Sequence, residues 1–338
     1  MIRLNHSKKV FVGIAVAASM VIGVLGVHSY AAGRVDTEAT VKITAEVSSE
    51  DKSIFAEEYE GEVQIDLYKI ATMDETGKPT LTAEFANSGI DLTILNKVPT
   101  VDEVKTEVVA KALETAKNLT ATESFTLDKK EQTSAFVNIE KGAGLYLYVP
   151  QKAQDARYSF TFMPYVIFAP TSDLMMFGQG TDEWKYESVF ELKSTAEERY
   201  GSLDIVKLLD SYNTGLGTAS FGYEVVGKID NETVFNNVYT IDFNSAKTDH
   251  KLVEKIPATA TVTVTEIYTG ASYEAVGENV ATADIEADKT AEVRFENKYD
   301  GQNIIGGIST VNTFLDKEDG IYWKDPSGNE VKQEDKGR

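Results

Sequence analysis

Three polar residues in the C-terminal half lie on strand faces that are otherwise apolar, and their types can react with one another. Residues two apart in a strand point to the same face, so Lys207, Glu266 and Asn297 share faces with apolar residues. Those neighbours are Leu203 and Ile205 for Lys207, Val262 and Val264 for Glu266, and Val293, Phe295 and Tyr299 for Asn297. The sequence therefore predicts an amine, an acid and an amide inside one core.

Burial gives these three groups a specific chemistry. A low-dielectric core favours the uncharged forms of an amine and an acid, and a neutral Lys207 amine can attack the side-chain carbonyl of Asn297. Glu266 can polarise that carbonyl and shuttle protons while ammonia leaves. The resulting isopeptide would close most of the domain into a loop, as a disulfide does. The alternative is a buried ion pair of Lys207 and Glu266, with Asn297 as a hydrogen-bond partner.

Other catalytic chemistry has little support in the composition. The chain has no cysteine, so covalent stapling must come from elsewhere. His6 and His28 lie in the N-terminal segment, and His250 lies in a stretch that is predicted to be an exposed turn, which disfavours a histidine triad or a zinc site. The acidic clusters at 51–60 and 316–319 lack calcium-loop spacing. We expect no enzyme activity, cofactor or metal.

The surrounding elements predict an all-β protein with two tandem domains. Residues 32–200 show β patterns interrupted by one amphipathic helix at 101–118, for which Thr100 is the N-cap. Residues 201–300 show regularly spaced short strands, which are typical of a β-sandwich. We place the boundary near Tyr200 and Gly201, and expect 301–338 to be an acidic, loosely ordered tail or a contact segment. The strands predicted in the second domain are 202–208, 219–227, 238–243, 259–268 and 291–299.

The N-terminus has the features of a signal peptide. Basic residues precede an apolar run at 10–27, and Ser29 and Ala31 stand at signal-peptidase spacing. Cleavage after Ala31 would leave the rest of the chain extracellular, at the cell surface or secreted. Retention of the run as an uncleaved membrane anchor is the alternative.

The charge excludes some partners. With 54 acidic and 33 basic residues, the formal charge is −21, which repels nucleic acid and anionic lipid headgroups. We therefore expect no nucleic-acid partner, and contact with a membrane only through an uncleaved signal segment.

Three segments of the second domain resemble a known family. They are Gly201-Ser-Leu-Asp-Ile-Val-Lys207, the segment from Ile256 to Glu266 that ends in Thr-Val-Thr-Val-Thr-Glu, and Val293-Arg-Phe-Glu-Asn-Lys-Tyr299. They are similar to the opening, middle and closing strands of Cna B-type domains in Gram-positive pilins and adhesins. The resemblance implies an immunoglobulin-like sandwich with a Lys–Asn isopeptide bond assisted by an acid.

The same resemblance implies a function and a set of partners. It implies a cell-surface structural or adhesive protein, similar to a fimbrial subunit, that associates with other pilus or surface-protein subunits. Host or matrix proteins and glycans are further partners that it leaves open. The C-terminal segment contains no LPxTG-like sorting signal, so we expect that the chain does not donate its own C-terminus and that it can at most accept another subunit or associate noncovalently.

The first domain resembles pilin N-terminal domains more loosely, through 67–71, 144–148 and the aromatic run ending at Pro170. Lys69 is predicted to point inward, but 186–192 contains no asparagine, which favours a structural lysine over a second crosslink. Trp184 and Lys193 have the separation of the pilin linkage motif, which makes Lys193 a candidate for intersubunit linkage. An ordinary exposed lysine at a strand end is the alternative.

Two other function classes remain open at the level of sequence. A secreted carbohydrate- or protein-binding module could hold its target with aromatic residues of the first domain, and an extracellular hydrolase could use paired carboxylates. A cleft with clustered exposed aromatics would favour binding, and two converging carboxylates would favour hydrolysis.

Overall fold

The computed structural model describes residues 33–96, 99–172 and 183–302, together with the backbone of 314–317, 320–324 and 330–332. The chain divides into two compact units, and the division falls between Arg199 and Tyr200. Most of the described elements are strands, and the predicted all-β class is confirmed. The predicted signal peptide and its cleavage site at Ala31 lie outside the described residues.

In the described residues of the first unit, eleven strands form three sheets around one apolar core. The sheet orders are β10-β1-β5, β11-β8-β7 and β3-β2-β6-β9, and β4 pairs with β2. The strands are β1 Val41–Glu46, β2 Glu62–Met73, β3 Pro79–Leu81, β4 Glu123–Asp128, β5 Ser134–Ile139, β6 Gly144–Pro150, β7 Ala153–Gln154, β8 Tyr158–Phe162, β9 Tyr165–Ala169, β10 Glu187–Glu191 and β11 Ser194–Glu198.

Two sequence patterns account for strand β2 and for the consecutive strands β8 and β9 of this unit. Val63, Ile65 and Leu67 of β2 are buried and alternate with more exposed residues, because one face of the strand lies on the core. The aromatic run from Tyr158 to Pro170, which reads as one stretch in the sequence, contains two strands, β8 and β9. Pro164 stands between them, where it cannot donate a ladder hydrogen bond.

The helical insertion is less regular than its periodicity predicts. A short helix, α1, covers Ile54–Glu58, and the longer helix, α2, combines α-helical turns at Val101–Val104 and Ala110–Ala116 with a π-helical turn at Lys105–Val109. Thr100 and Glu103 form a reciprocal capping box at its start. The π turn adds a residue to the local repeat, so α2 departs from the uniform helix predicted over 101–118.

Within residues 200–302 of the second unit, the strands form two four-stranded sheets, β15-β12-β19-β17 and β14-β13-β16-β18. Both sheets contribute to one apolar core. Strands β12 and β19 are parallel neighbours. The strands are β12 Tyr200–Leu209, β13 Ala219–Ile229, β14 Glu232–Phe243, β15 Lys247–Pro257, β16 Thr261–Tyr268, β17 Tyr273–Ala275, β18 Val280–Asp284 and β19 Thr290–Tyr299.

One local expectation for this half of the chain was wrong. His250 lies in β15, where it is exposed, rather than in a turn. Strand β15 lies at the edge of its sheet and is mostly exposed, so its sequence lacks the apolar alternation that identifies a strand. The segment 301–338, expected to be a loosely ordered tail or a contact segment, contains among its described residues an antiparallel meander of three short strands: β20 Phe314–Lys317, β21 Gly320–Lys324 and β22 Glu330–Lys332.

Strand β12 begins where the backbone is too crowded for a side chain. A Cβ atom at Gly201 would lie 2.2 Å from the carbonyl oxygen of Glu286 and 3.0 Å from that of Lys289. We expect Gly201→Ala to lower the free energy of unfolding by about 1–3 kcal/mol, because the β12 backbone must shift. Chemical denaturation measures this change. The neighbouring Ser202→Ala is the control and should stay within about 0.5 kcal/mol of wild type; equal effects of both variants would contradict the account.

Candidate crosslinking site

Three strands position the side chains of the candidate site. Lys207 comes from β12 and Asn297 from its parallel neighbour β19, where Asn297 stands opposite Leu209. Glu266 comes from β16 in the other sheet. The first two residues therefore lie on one inner face with a two-residue offset, and the acid faces them from across the core.

The three side chains meet in the core. The Nζ atom of Lys207 is 2.5 Å from Oε1 of Glu266 and 2.5 Å from Oδ1 of Asn297. Lys207 and Asn297 are 0% exposed, and Glu266 is 3% exposed. The three residues that the sequence singles out are therefore within hydrogen-bond distance and out of contact with water.

Aromatic rings surround the amine. The Nζ atom of Lys207 lies 4.6 Å from the ring centroid of Phe221 and 5.7 Å from that of Tyr223, and the Tyr223 ring lies 5.2 Å from the ring of Phe295. Burial lowers the pKa of Lys207, and the hydrogen bond and negative charge of Glu266 partly oppose this shift. The apolar surroundings thus favour the neutral, nucleophilic amine.

The amide of Asn297 is held in one orientation. Its Nδ2 donates to the carbonyl oxygen of Thr269 at 3.2 Å, while its Oδ1 accepts from Lys207. Donor and acceptor each have a suitable partner. This orientation turns the amide oxygen toward the amine and the nitrogen that would leave toward a backbone acceptor.

The same geometry has two chemical outcomes. Held at hydrogen-bond distance with their orientation fixed, an amine and an amide are arranged for an intramolecular reaction. A stable buried ion pair of Lys207 and Glu266 also satisfies these contacts, because each charge would have its partner. The mass of the chain distinguishes the two, since only the first outcome releases ammonia.

Lys69 of the first unit has different surroundings. Its Nζ donates to the backbone carbonyl of Lys141 at 3.2 Å and lies 5.7 Å from the ring centroid of Tyr146. Burial lowers the pKa of Lys69. A backbone carbonyl does not react with an amine in this way, so these contacts fit a structural role.

Trp184 and Lys193 are placed on either side of β10. Trp184 is half-buried, and its Nε1 donates to the carbonyl oxygen of Gly33 at 2.6 Å. Lys193 is exposed and pairs with Glu191. The structure leaves the Lys193 amine accessible without bringing it to Trp184.

Sequence reasoning missed two contributors to the site. Tyr223 donates its hydroxyl hydrogen to Oε1 of Glu266 at 3.1 Å, and the Thr269 carbonyl holds the Asn297 amide. Tyr223 could have been found, because it alternates with Phe221 and Val225 on the inner face of β13. The Thr269 contact comes from the backbone, and no residue type signals it.

Two other kinds of site find no support in the described part of the chain. Among those residues, no group of three or more His, Cys, Asp or Glu side chains could hold a metal ion. No helix there has the length and apolar character that a membrane span requires.

No family model and no curated protein matches the chain. The solved structures that match it include pilins and adhesins. The minor pilin GBS52 of Streptococcus agalactiae is 16% identical, with 79% of this chain and 99% of that chain covered and a TM-score of 0.23.

Two further pilins are similar at comparable levels. The major pilin T-13 of Streptococcus pyogenes is 13% identical, with 80% of this chain and 100% of that chain covered and a TM-score of 0.25. The basal pilin SpaE of Lactobacillus rhamnosus GG is 11% identical, with 77% and 99% covered and a TM-score of 0.28. Likenesses with scores this low do not assign a function to the chain.

The lowered pKa of Lys207 predicts a pH dependence once Asn297 is replaced and no crosslink can form. Between the lowered folded-state pKa and the ordinary value of 10.5, the unfolded chain binds a proton that the folded chain lacks, so stability rises with pH. The free energy of unfolding of Asn297→Ala should therefore rise as the pH approaches 10.5 from below, as urea titrations measure. The double variant Asn297→Ala/Lys207→Met lacks this lysine and should lack this increment; identical pH profiles would contradict the assignment.

Proposed function

We propose that Lys207 and Asn297 form an intramolecular isopeptide bond with the help of Glu266. The Nζ atom of neutral Lys207 attacks Cγ of Asn297, so that the Nζ–Cγ bond forms and the Cγ–Nδ2 bond breaks. Glu266 accepts a proton from Nζ and delivers it to Nδ2, and ammonia leaves. The observation that carries the proposal is the pair of 2.5 Å contacts of one buried amine with an acid and an amide.

The position of this bond would constrain most of the sandwich. It would join β12 to β19, the strands that open and close the sandwich, across a sequence separation of 90 residues. By the loop-entropy relation used for disulfides, closing a loop of that length stabilises the fold by about 4.6 kcal/mol. A chain without cysteine gains in this way the constraint that a disulfide would supply.

We propose that the chain is an extracellular, cell-surface structural or adhesive protein resembling a fimbrial subunit, with other pilus or surface-protein subunits as partners. The motifs of β12, β16 and β19, together with the geometry of their three polar residues, support this role. A self-crosslinking unit needs no external substrate, so no enzymatic turnover is implied.

The competing role, a secreted carbohydrate- or protein-binding module, has less support. Across the described residues of the first unit, the aromatic side chains are buried or half-buried except for Phe136, which is 54% exposed. Stacking on a sugar face typically uses accessible rings in a cleft. A single exposed ring on a sheet is a weaker basis for such a site.

Intact mass tests the proposed bond. The purified full chain should weigh one ammonia less than its sequence predicts, whereas Glu266→Ala should keep the full calculated mass because proton transfer is lost. Glu292→Ala is the matched control, since it removes an exposed acid from the same strand as Asn297 and should retain the ammonia deficit. Full mass in the wild type would leave only the buried ion pair.

Lys193 provides a separate test of assembly. If its exposed amine accepts another subunit, wall extracts of cells that express the chain should contain ladders that resist detergent and heat. Lys193→Ala should abolish these ladders on immunoblots, whereas replacement of the exposed Lys298 by alanine should not. Ladders that persist in Lys193→Ala would exclude this residue as the linkage point.

A further inference from the structure

Glu266 has a second polar neighbour that the crosslinking reaction does not consume. Tyr223 of β13 stands directly opposite Glu266 of β16 in the antiparallel register. It is 0% exposed, and its hydroxyl donates to Oε1 of Glu266 at 3.1 Å. A buried tyrosine hydroxyl usually has a partner, and here that partner is the acid of the candidate site.

The carboxyl group of Glu266 is held through one oxygen. Oε1 accepts hydrogen bonds from both Lys207 and Tyr223, whereas Oε2 is buried and makes no hydrogen bond with the described residues. A buried polar atom left unpaired is costly. Because Oε2 is not anchored, the hydrogen bonds to Oε1 are the contacts that orient the carboxyl group.

Only the contact from Tyr223 comes from a group that is unchanged by the reaction. Lys207 loses a proton and becomes an amide nitrogen as the Nζ–Cγ bond forms, so its contact with Oε1 changes during the step. Tyr223 keeps its hydroxyl. We propose, on the basis of the proposed crosslink, that Tyr223 is a positioning residue that holds Oε1 of Glu266 against the Lys207 amine.

The inference predicts a kinetic defect that leaves the fold intact. Tyr223→Phe keeps the ring beside Lys207 and Phe295 and removes only the hydroxyl. Losing one hydrogen bond to the carboxyl group should slow ammonia release by roughly tenfold. The final yield can still approach completion, because Glu266 remains present.

The test is a time course of intact mass after cell-free synthesis of the full chain. Wild type should release ammonia fastest, Tyr223→Phe roughly tenfold more slowly, and Glu266→Ala not at all. Tyr239→Phe is the matched control, since its hydroxyl in the same unit contacts Asn237, and it should match wild type. Wild-type speed in Tyr223→Phe would overturn the inference alone, whereas no ammonia loss in wild type would overturn the crosslink itself.

A second measurement separates positioning from folding. Asn297→Ala cannot crosslink, so urea titrations in this background report whether Tyr223→Phe still folds. The time course of ammonia release is then measured under conditions in which Tyr223→Phe is folded. A positioning role also predicts that the rate–pH profile changes shape, because the hydroxyl no longer contacts the group that accepts the lysine proton. A rate lowered equally at every pH, in step with lost folded population, would mean that Tyr223 is only structural.

Discussion

The amine of Lys207 in an apolar core is the constraint on which the second unit depends. A charged amine without a partner in such surroundings would cost several kcal/mol, yet Lys207 is 0% exposed and lies among aromatic rings. This cost is offset by two hydrogen-bond partners of the amine, an acid from the facing sheet and an amide from the neighbouring strand. The groups that make the burial tolerable are also the groups with which the amine can react.

Topology determines what a bond at this place would do. Strands β12 and β19 are far apart in sequence but adjacent and parallel in space, so a link between them encloses most of the second unit. Hydrogen bonds and packing between the two strands are reversible, whereas an amide bond is not broken by thermal motion. A covalent bond here would therefore join the strands with which the chain enters and leaves the sandwich.

The site was predictable to the extent that it depends on strand parity. Apolar and polar residues alternate regularly around Lys207, Glu266 and Asn297. The two-residue period of a β-strand therefore predicts that all three side chains point inward. The alternation of side chains within a strand does not predict that β12 and β19 are neighbours. Only the family resemblance implied this pairing. Exposed edge strands such as β15, the π turn in α2 and the backbone contact of Thr269 lack a periodic or residue-type signal, so the sequence did not predict them.

The most direct test of the central claim is tandem mass spectrometry of a protease digest of the full chain. The account predicts a branched peptide in which the segment around Lys207 is joined through its side chain to the segment around Asn297, with fragment ions that locate the bond at Nζ and Cγ. Two linear peptides with an intact Asn297 amide and an unmodified Lys207 would contradict it.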